Sequence, residues 1–179
     1  MIQTPNDYLY FDYYQSDNME TEPLAIGGYV PVERVYSFEP FSDGMTDAQK
    51  ALVMGPQANL WTEYVPTFSH LQYMELPRMA ALAEVQWTAP EKKNYHDFKC
   101  RMPRLIANYE REGYNYARHI FDTDVDFIPD RASRSLVMSA SVYPGSALRY
   151  TLDGSQPTAA STLYDGPVSL RRDCIVSAA

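Results

Sequence analysis

Two short stretches of this chain place pairs of side chains suited to one kind of chemistry. In Gly55-Pro56-Gln57-Ala58-Asn59-Leu60-Trp61-Thr62-Glu63 an indole and a carboxylate stand two residues apart, and in Tyr8-Leu9-Tyr10-Phe11-Asp12 a phenol and a carboxylate do the same. On an extended strand, side chains two apart share a face, so each pair would present an aromatic group and an acceptor together. Such pairs suit a sugar, whose C–H face stacks on an aromatic ring and whose hydroxyls donate to a carboxylate with charge-assisted strength. The residues alone leave plainer readings open: a core Trp beside a solvated Glu, and a core Tyr followed by an Asp that caps the next loop.

The elements that must carry these pairs read as follows. Tyr8 to Tyr14, rich in aromatics and preceded by the turn signal Pro5-Asn6-Asp7, is expected to be a buried strand. Gln15 to Gly28 reads as a long loop, and Pro31 to Tyr36 as a short helical turn. Thr46 with Gln49 has the spacing of a capping box opening a short helix, Asp47 to Ala51, that leads into the Trp61 strand. Ser69 is a candidate cap for a long helix carrying Leu71, Met74, Met79, Leu82 and Val85 up to Trp87, with Pro77 kinking it or marking its start. Tyr95, Phe98, Met102, Leu105 and Tyr109 have the spacing of one buried helical stripe, and Gly113 is a natural C-cap.

Strand, loop, short helix, strand and long helix form an α/β pattern, and both pairs fall at the C-terminal ends of strands, where parallel α/β barrels carry their active sites. Two strands cannot close a barrel, so residues 1–122 read as the end of a larger fold. Residues 123–135 are polar and include Pro129, and read as a linker. Residues 136–179 alternate in period two between turn signals, the pattern of a small antiparallel sheet in which Leu148, Tyr150 and Leu152 share one face.

Composition narrows the function classes. Among 179 residues there are 15 Lys and Arg against 23 Asp and Glu, a formal charge of -8 with no basic cluster, which argues against a nucleic-acid surface. No apolar run approaches membrane-spanning length, and the first residues lack the charged and apolar regions of a signal peptide. Cys100 and Cys174 are far apart and indicate neither a disulfide framework nor a metal site.

With these residues set out, the chain resembles the C-terminal part of family 20 glycoside hydrolases, the β-N-acetylhexosaminidases. YFDYYQ with the EPLAIGG loop, GPQANLWTEYV and MELPRMAALAEVQW carry the resemblance over about residues 1 to 120, while LRYTLDGSQPT and STLYDGPVSL are similar to the small β-sandwich appended to many such enzymes. The implied fold is α/β: the last two strand-helix units of a (β/α)8 TIM barrel, followed by a partial antiparallel β-sandwich. The implied chemistry is substrate-assisted, the substrate's 2-acetamido oxygen attacking the anomeric carbon to give an oxazolinium ion that water then opens.

By the same resemblance, Tyr10 is the catalytic residue that orients the acetamido oxygen, Asp12 accepts from the 4- or 6-hydroxyl, Trp61 is an aromatic wall, and Glu63 accepts from the 4-hydroxyl. No metal or other cofactor is implied, the substrate class is an N-acetyl-hexosaminide on a glycan or chito-oligosaccharide, and the location is periplasmic or extracellular. Glu39, Glu75, Glu84, His70, His96 and His119 match no role. The Asp-Glu pair that supplies acid catalysis in the family lies on an earlier strand with no counterpart here. The chain alone is therefore expected to be inactive and marginally stable without the N-terminal part of the barrel. A non-catalytic carbohydrate-binding or interaction protein is the alternative.

Overall fold

The computed structural model describes residues 1–179, which divide into two compact units, Met1–Ile120 and Phe121–Ala179. The whole is mixed α/β, with antiparallel sheets in the second unit.

The first unit opens with β1 (Ile2–Gln3) and α1 (Asn6–Leu9) and continues through α2 (Val32–Tyr36) and α3 (Asp47–Lys50) to β2 (Gly55–Pro56). β1 and β2 pair in parallel, Ile2 with Gly55 and Gln3 with Pro56. The same two segments meet again at a parallel bridge between Tyr10 and Asn59, where the Phe11 amide donates to the Asn59 carbonyl at 2.7 Å and the Asn59 amide to the Leu9 carbonyl at 2.9 Å. α1 is a single helical turn between the two pairings. The strand expected over Tyr8 to Tyr14 is thus corrected to a helical turn and a bridge. Pro5 is the reason: its restricted φ suits a helix start, and its carbonyl accepts from the amides of Tyr8 and Leu9. The other expected strand is shorter too, because pairing ends at Asn59 and Thr62 to Val65 form a turn.

The long helix expected from Ser69 is two helices, α4 (Phe68–Glu75) and α5 (Arg78–Trp87), because a proline at position 77 has no amide to continue the ladder. Thr67, not Ser69, is the cap, its hydroxyl accepting from the His70 amide. The capping box of Thr46 and Gln49 is formed as expected. α6 (Tyr95–Glu112) is capped by Asn94 and closed by Gly113 at φ 71°, and its buried stripe is Phe98, Met102, Ile106 and Tyr109, with Ile106 in place of the expected Leu105.

α2, α5 and α6 are joined by more than apolar burial. Glu84 of α5 accepts from the Tyr36 hydroxyl of α2 at 3.0 Å and from the Arg101 guanidinium of α6 at 2.7 Å to each oxygen. Tyr36 also packs its ring on Tyr95 and Phe98. Glu84, which matched no role in the sequence, therefore ties three helices together.

The second unit holds two three-stranded antiparallel sheets. β3 (Asp124–Asp130), β4 (Ser135–Ser141), β5 (Arg149–Thr151), β6 (Thr162–Leu163), β7 (Val168–Leu170) and β8 (Ser177–Ala178) are arranged as β3-β4-β7 and β6-β5-β8. Residues 123–135, expected as linker, contain β3, which pairs with β4 from Asp124 opposite Ser141 to Asp130 opposite Ser135. Pro129 is tolerated because β3 lies at a sheet edge, where a missing amide need not break a ladder. Met138, Leu148 and Leu170 are buried in this unit; Leu152, expected on the same face as Leu148, is exposed, since β5 ends at Thr151.

Candidate functional site

The Tyr10–Asn59 bridge sets the geometry of the candidate residues. Because the paired segments run in the same direction, Asp12 lies just beyond Tyr10 and Trp61 and Glu63 just beyond Asn59, so all four emerge at one end of the pair. Their grouping comes from parallel register rather than from the alternation of a strand, since neither stretch remains extended.

Apolar anchors flank the exposed segment. Trp61 is 54% exposed and Glu63 is exposed, whereas Leu60 and Val65 on either side pack in a cluster with Ala25, Met74, Leu71, Tyr73 and Tyr14. The indole is held out by its neighbours' burial, which disposes of the reading of Trp61 as a core residue. Tyr10 is half-buried, its ring edge-on to Tyr13 at 5.6 Å.

Asp12 is buried at 6% exposure, and its Oδ1 has no hydrogen-bond partner within the chain. Burial raises its pKa, its own backbone amide and the charge of Arg78 oppose the rise, and the nearby Glu63 carboxylate adds to it. An unpaired, desolvated acceptor is costly unless something outside the chain donates to it.

Arg78 was not singled out by the sequence reading, though an arginine directly after Pro77 in a run as apolar as Met79-Ala80-Ala81-Leu82 was a visible signal. It is fully buried. Nη2 donates to the Phe11 carbonyl at 2.6 Å and to Met74; Nη1 to Tyr13 at 3.1 Å and Val30 at 3.0 Å; and Nε to Met74 at 3.0 Å. Its guanidinium carbon lies 4.7 Å from the centre of the Phe11 ring. Burial pushes its pKa down to about 9, partly opposed by Glu22, Asp12 and Tyr73, so it stays cationic at neutral pH.

The loop from Gln15 to Gly28 has its own anchor. Glu22 Oε1 accepts from the Tyr73 hydroxyl at 2.6 Å and lies 2.6 Å from His119 Nε2, while Oε2 accepts from the Gln15 amide at 3.3 Å. The Glu22 side chain is 1% exposed. Burial would raise its pKa, but the His119 and Tyr73 hydrogen bonds and the His119 charge outweigh that and hold it below the ordinary value. No cluster of three His, Cys, Asp or Glu side chains has the arrangement to hold a metal, and no helix is long and apolar enough to cross a membrane.

Comparison with known proteins adds to this geometry. Residues 1–90 match the model of the glycosyl hydrolase family 20 catalytic domain. The chain belongs to glycosyl hydrolase family 20. Residues 136–179 of this family 20 chain match a second model, Fn3 associated. The chain is 36% identical over 174 residues to a beta-hexosaminidase of Porphyromonas gingivalis, covering 94% of this chain and 22% of that relative. It is 30% identical over 116 residues to a beta-N-acetylhexosaminidase of Cellulomonas fimi, covering 65% of this chain and 23% of that one. Among solved structures, the family 20 β-N-acetylhexosaminidase of Streptomyces coelicolor aligns with a TM-score of 0.57 at 29% identity, over 65% of this chain and 23% of that one. The family 20 chain thus spans less than a quarter of the length of these relatives.

Proposed function

We propose that this family 20 chain contributes part of the −1 sugar site of an exo-acting β-N-acetylhexosaminidase, and that residues 1–122 are the last two strand-helix units of its (β/α)8 barrel. The observation that carries the reading is the buried Asp12 carboxylate, with an unpartnered Oδ1, at the same end of a parallel pair as Glu63 and an exposed Trp61. A terminal sugar provides what this group lacks: hydroxyl donors for two carboxylates and an apolar face for an indole.

In this reading Trp61 stacks on the ring while Asp12 and Glu63 accept from its hydroxyls. The Tyr10 phenol donates to the acetamido oxygen of the substrate and holds it near the anomeric carbon, which is catalysis by orientation. The acetamido oxygen forms the C–O bond as the glycosidic C–O bond breaks, and the leaving oxygen takes a proton from an acid supplied by residues outside these 179. Water then adds to the oxazolinium ion and returns the acetamido group. Residues 136–179, with their antiparallel strands, are the partial sandwich domain of that enzyme and take no part in the chemistry.

The reading is tested by supplying the full-length protein with aryl β-glycosides that differ only at C2. Release of the aryl alcohol from the 2-acetamido sugar but not from the 2-hydroxyl sugar is expected, because only the first carries its own nucleophile. Equal rates on both would overturn substrate assistance.

A further inference from the structure

Asp12 and Arg78 are both buried, and they do not form an ion pair. Every donor of the guanidinium goes instead to a neutral carbonyl, two of them on either side of Asp12: Phe11 at 2.6 Å and Tyr13 at 3.1 Å. The planar fork of an arginine fixes the direction of each carbonyl it grips, so the peptide entering residue 12 and the peptide following residue 13 are pinned to the junction of α4 and α5. The third carbonyl, of Val30, belongs to the segment that follows Gly28, and its amide bonds back to the Tyr14 carbonyl at 2.9 Å. One side chain thus ties together the chain entering and leaving Asp12, the return of the long loop, and the helix pair.

The charge of Arg78 is not neutralised by these neutral partners. Glu63 and Arg78 are the charged groups that act on Asp12, from the segment after β2 and from α5; Asp12, Glu22 and Tyr73 are those that act on Arg78, from the Asp12 segment, the loop and α4. Two carboxylates that must both accept hydrogen bonds repel each other, and a nearby cation reduces that cost.

We propose that Arg78 is a positioning residue for the sugar site: it fixes the backbone on both sides of Asp12 so that this carboxylate emerges at the same end of the parallel pair as Glu63, and it holds a positive charge against the Asp12 segment that favours the carboxylate form. The proposal rests on the reading of Asp12 as an acceptor for a substrate hydroxyl.

The test is a mutant cycle in the full-length protein, with Arg78→Met, Arg78→Lys, Asp12→Asn and the two pairwise combinations, reading kcat and KM on an aryl N-acetyl-β-glucosaminide across the acid limb of the pH profile. Arg78→Met is expected to lower kcat/KM about 100-fold and to move the acid limb up by about one pH unit. Arg78→Lys keeps the charge without the fork, so it should leave the limb in place while losing about 10-fold. In the Asp12→Asn background, either substitution should cost no more than about threefold further, since its target is already gone. Full additivity, or a limb that does not respond to Arg78→Met, overturns the proposal. Where Arg78→Met does not fold, the cycle of Arg78→Lys with Asp12→Asn decides the matter alone. If Asp12→Asn itself behaves as wild type, the reading of Asp12 fails; if it loses activity and the Arg78 effect is additive, only the Arg78 proposal does.

Discussion

Asp12, proposed to accept from a substrate hydroxyl, carries a structural cost. Its carboxyl sits above the ordinary value of 3.8 because it is buried, with a smaller push from the Glu63 charge. A carboxyl raised in the fold gives its most favourable contribution when protonated, and that contribution is lost as the pH rises through the folded pKa. At neutral pH the charge therefore opposes folding. Asp12→Asn in the full-length protein should lower kcat/KM about 100-fold while leaving the melting temperature equal or higher. A fall in both together would mark Asp12 as a structural residue. Gly28 gives a second prediction at this scale: at φ 67° it adopts a left-handed conformation, and a β-carbon there would run into the Tyr13 ring. Gly28→Ala should destabilise by about 2 kcal/mol or more in denaturant titration, from strain and overpacking combined.

Among elements, the one most exposed to pH is the loop from Gln15 to Gly28. Its buried Glu22 is held below the ordinary 4.5 by His119 and Tyr73 despite desolvation. A carboxyl lowered in the fold stabilises above its unfolded value and loses that contribution as the pH falls through the folded one. Glu22→Gln should lower the melting temperature at neutral pH, with the gap to wild type closing well below pH 4.5, and should speed hydrogen exchange over the loop amides. A constant gap at all pH values would show that the pairing does not contribute. The elements also show what was legible in the sequence. α6 with its Gly113 stop and the Thr46 box were readable because both rest on local signals, a helical period and cap residues. The strand expected at Tyr8 to Tyr14 was not, because Pro5 nucleates a helical turn while aromatic content suggests extension, and the winner depends on pairing with Asn59 some fifty residues away.

For the molecule as a whole, the resemblance read from three motifs agrees with the family match over residues 1–90. The candidate site residues were picked out by those motifs, but their grouping could not be derived from spacing, because it depends on parallel register between segments that are scarcely strands. Arg78 was missed for the opposite reason: its role lies in backbone carbonyls, which every residue carries and no motif marks. The remainder of the proposed enzyme, including its acid, is assigned to residues outside this chain, so every activity prediction belongs to the full-length protein. The proposed orientation of the substrate's own nucleophile by this segment is tested by kcat of Tyr10→Phe on an aryl N-acetyl-β-glucosaminide. On the proposed role of Tyr10, a loss of about 100-fold in kcat with KM little changed is expected, because the phenol would act on the acetamido oxygen as it becomes nucleophilic. A Tyr10→Phe enzyme that turns over like wild type would contradict it.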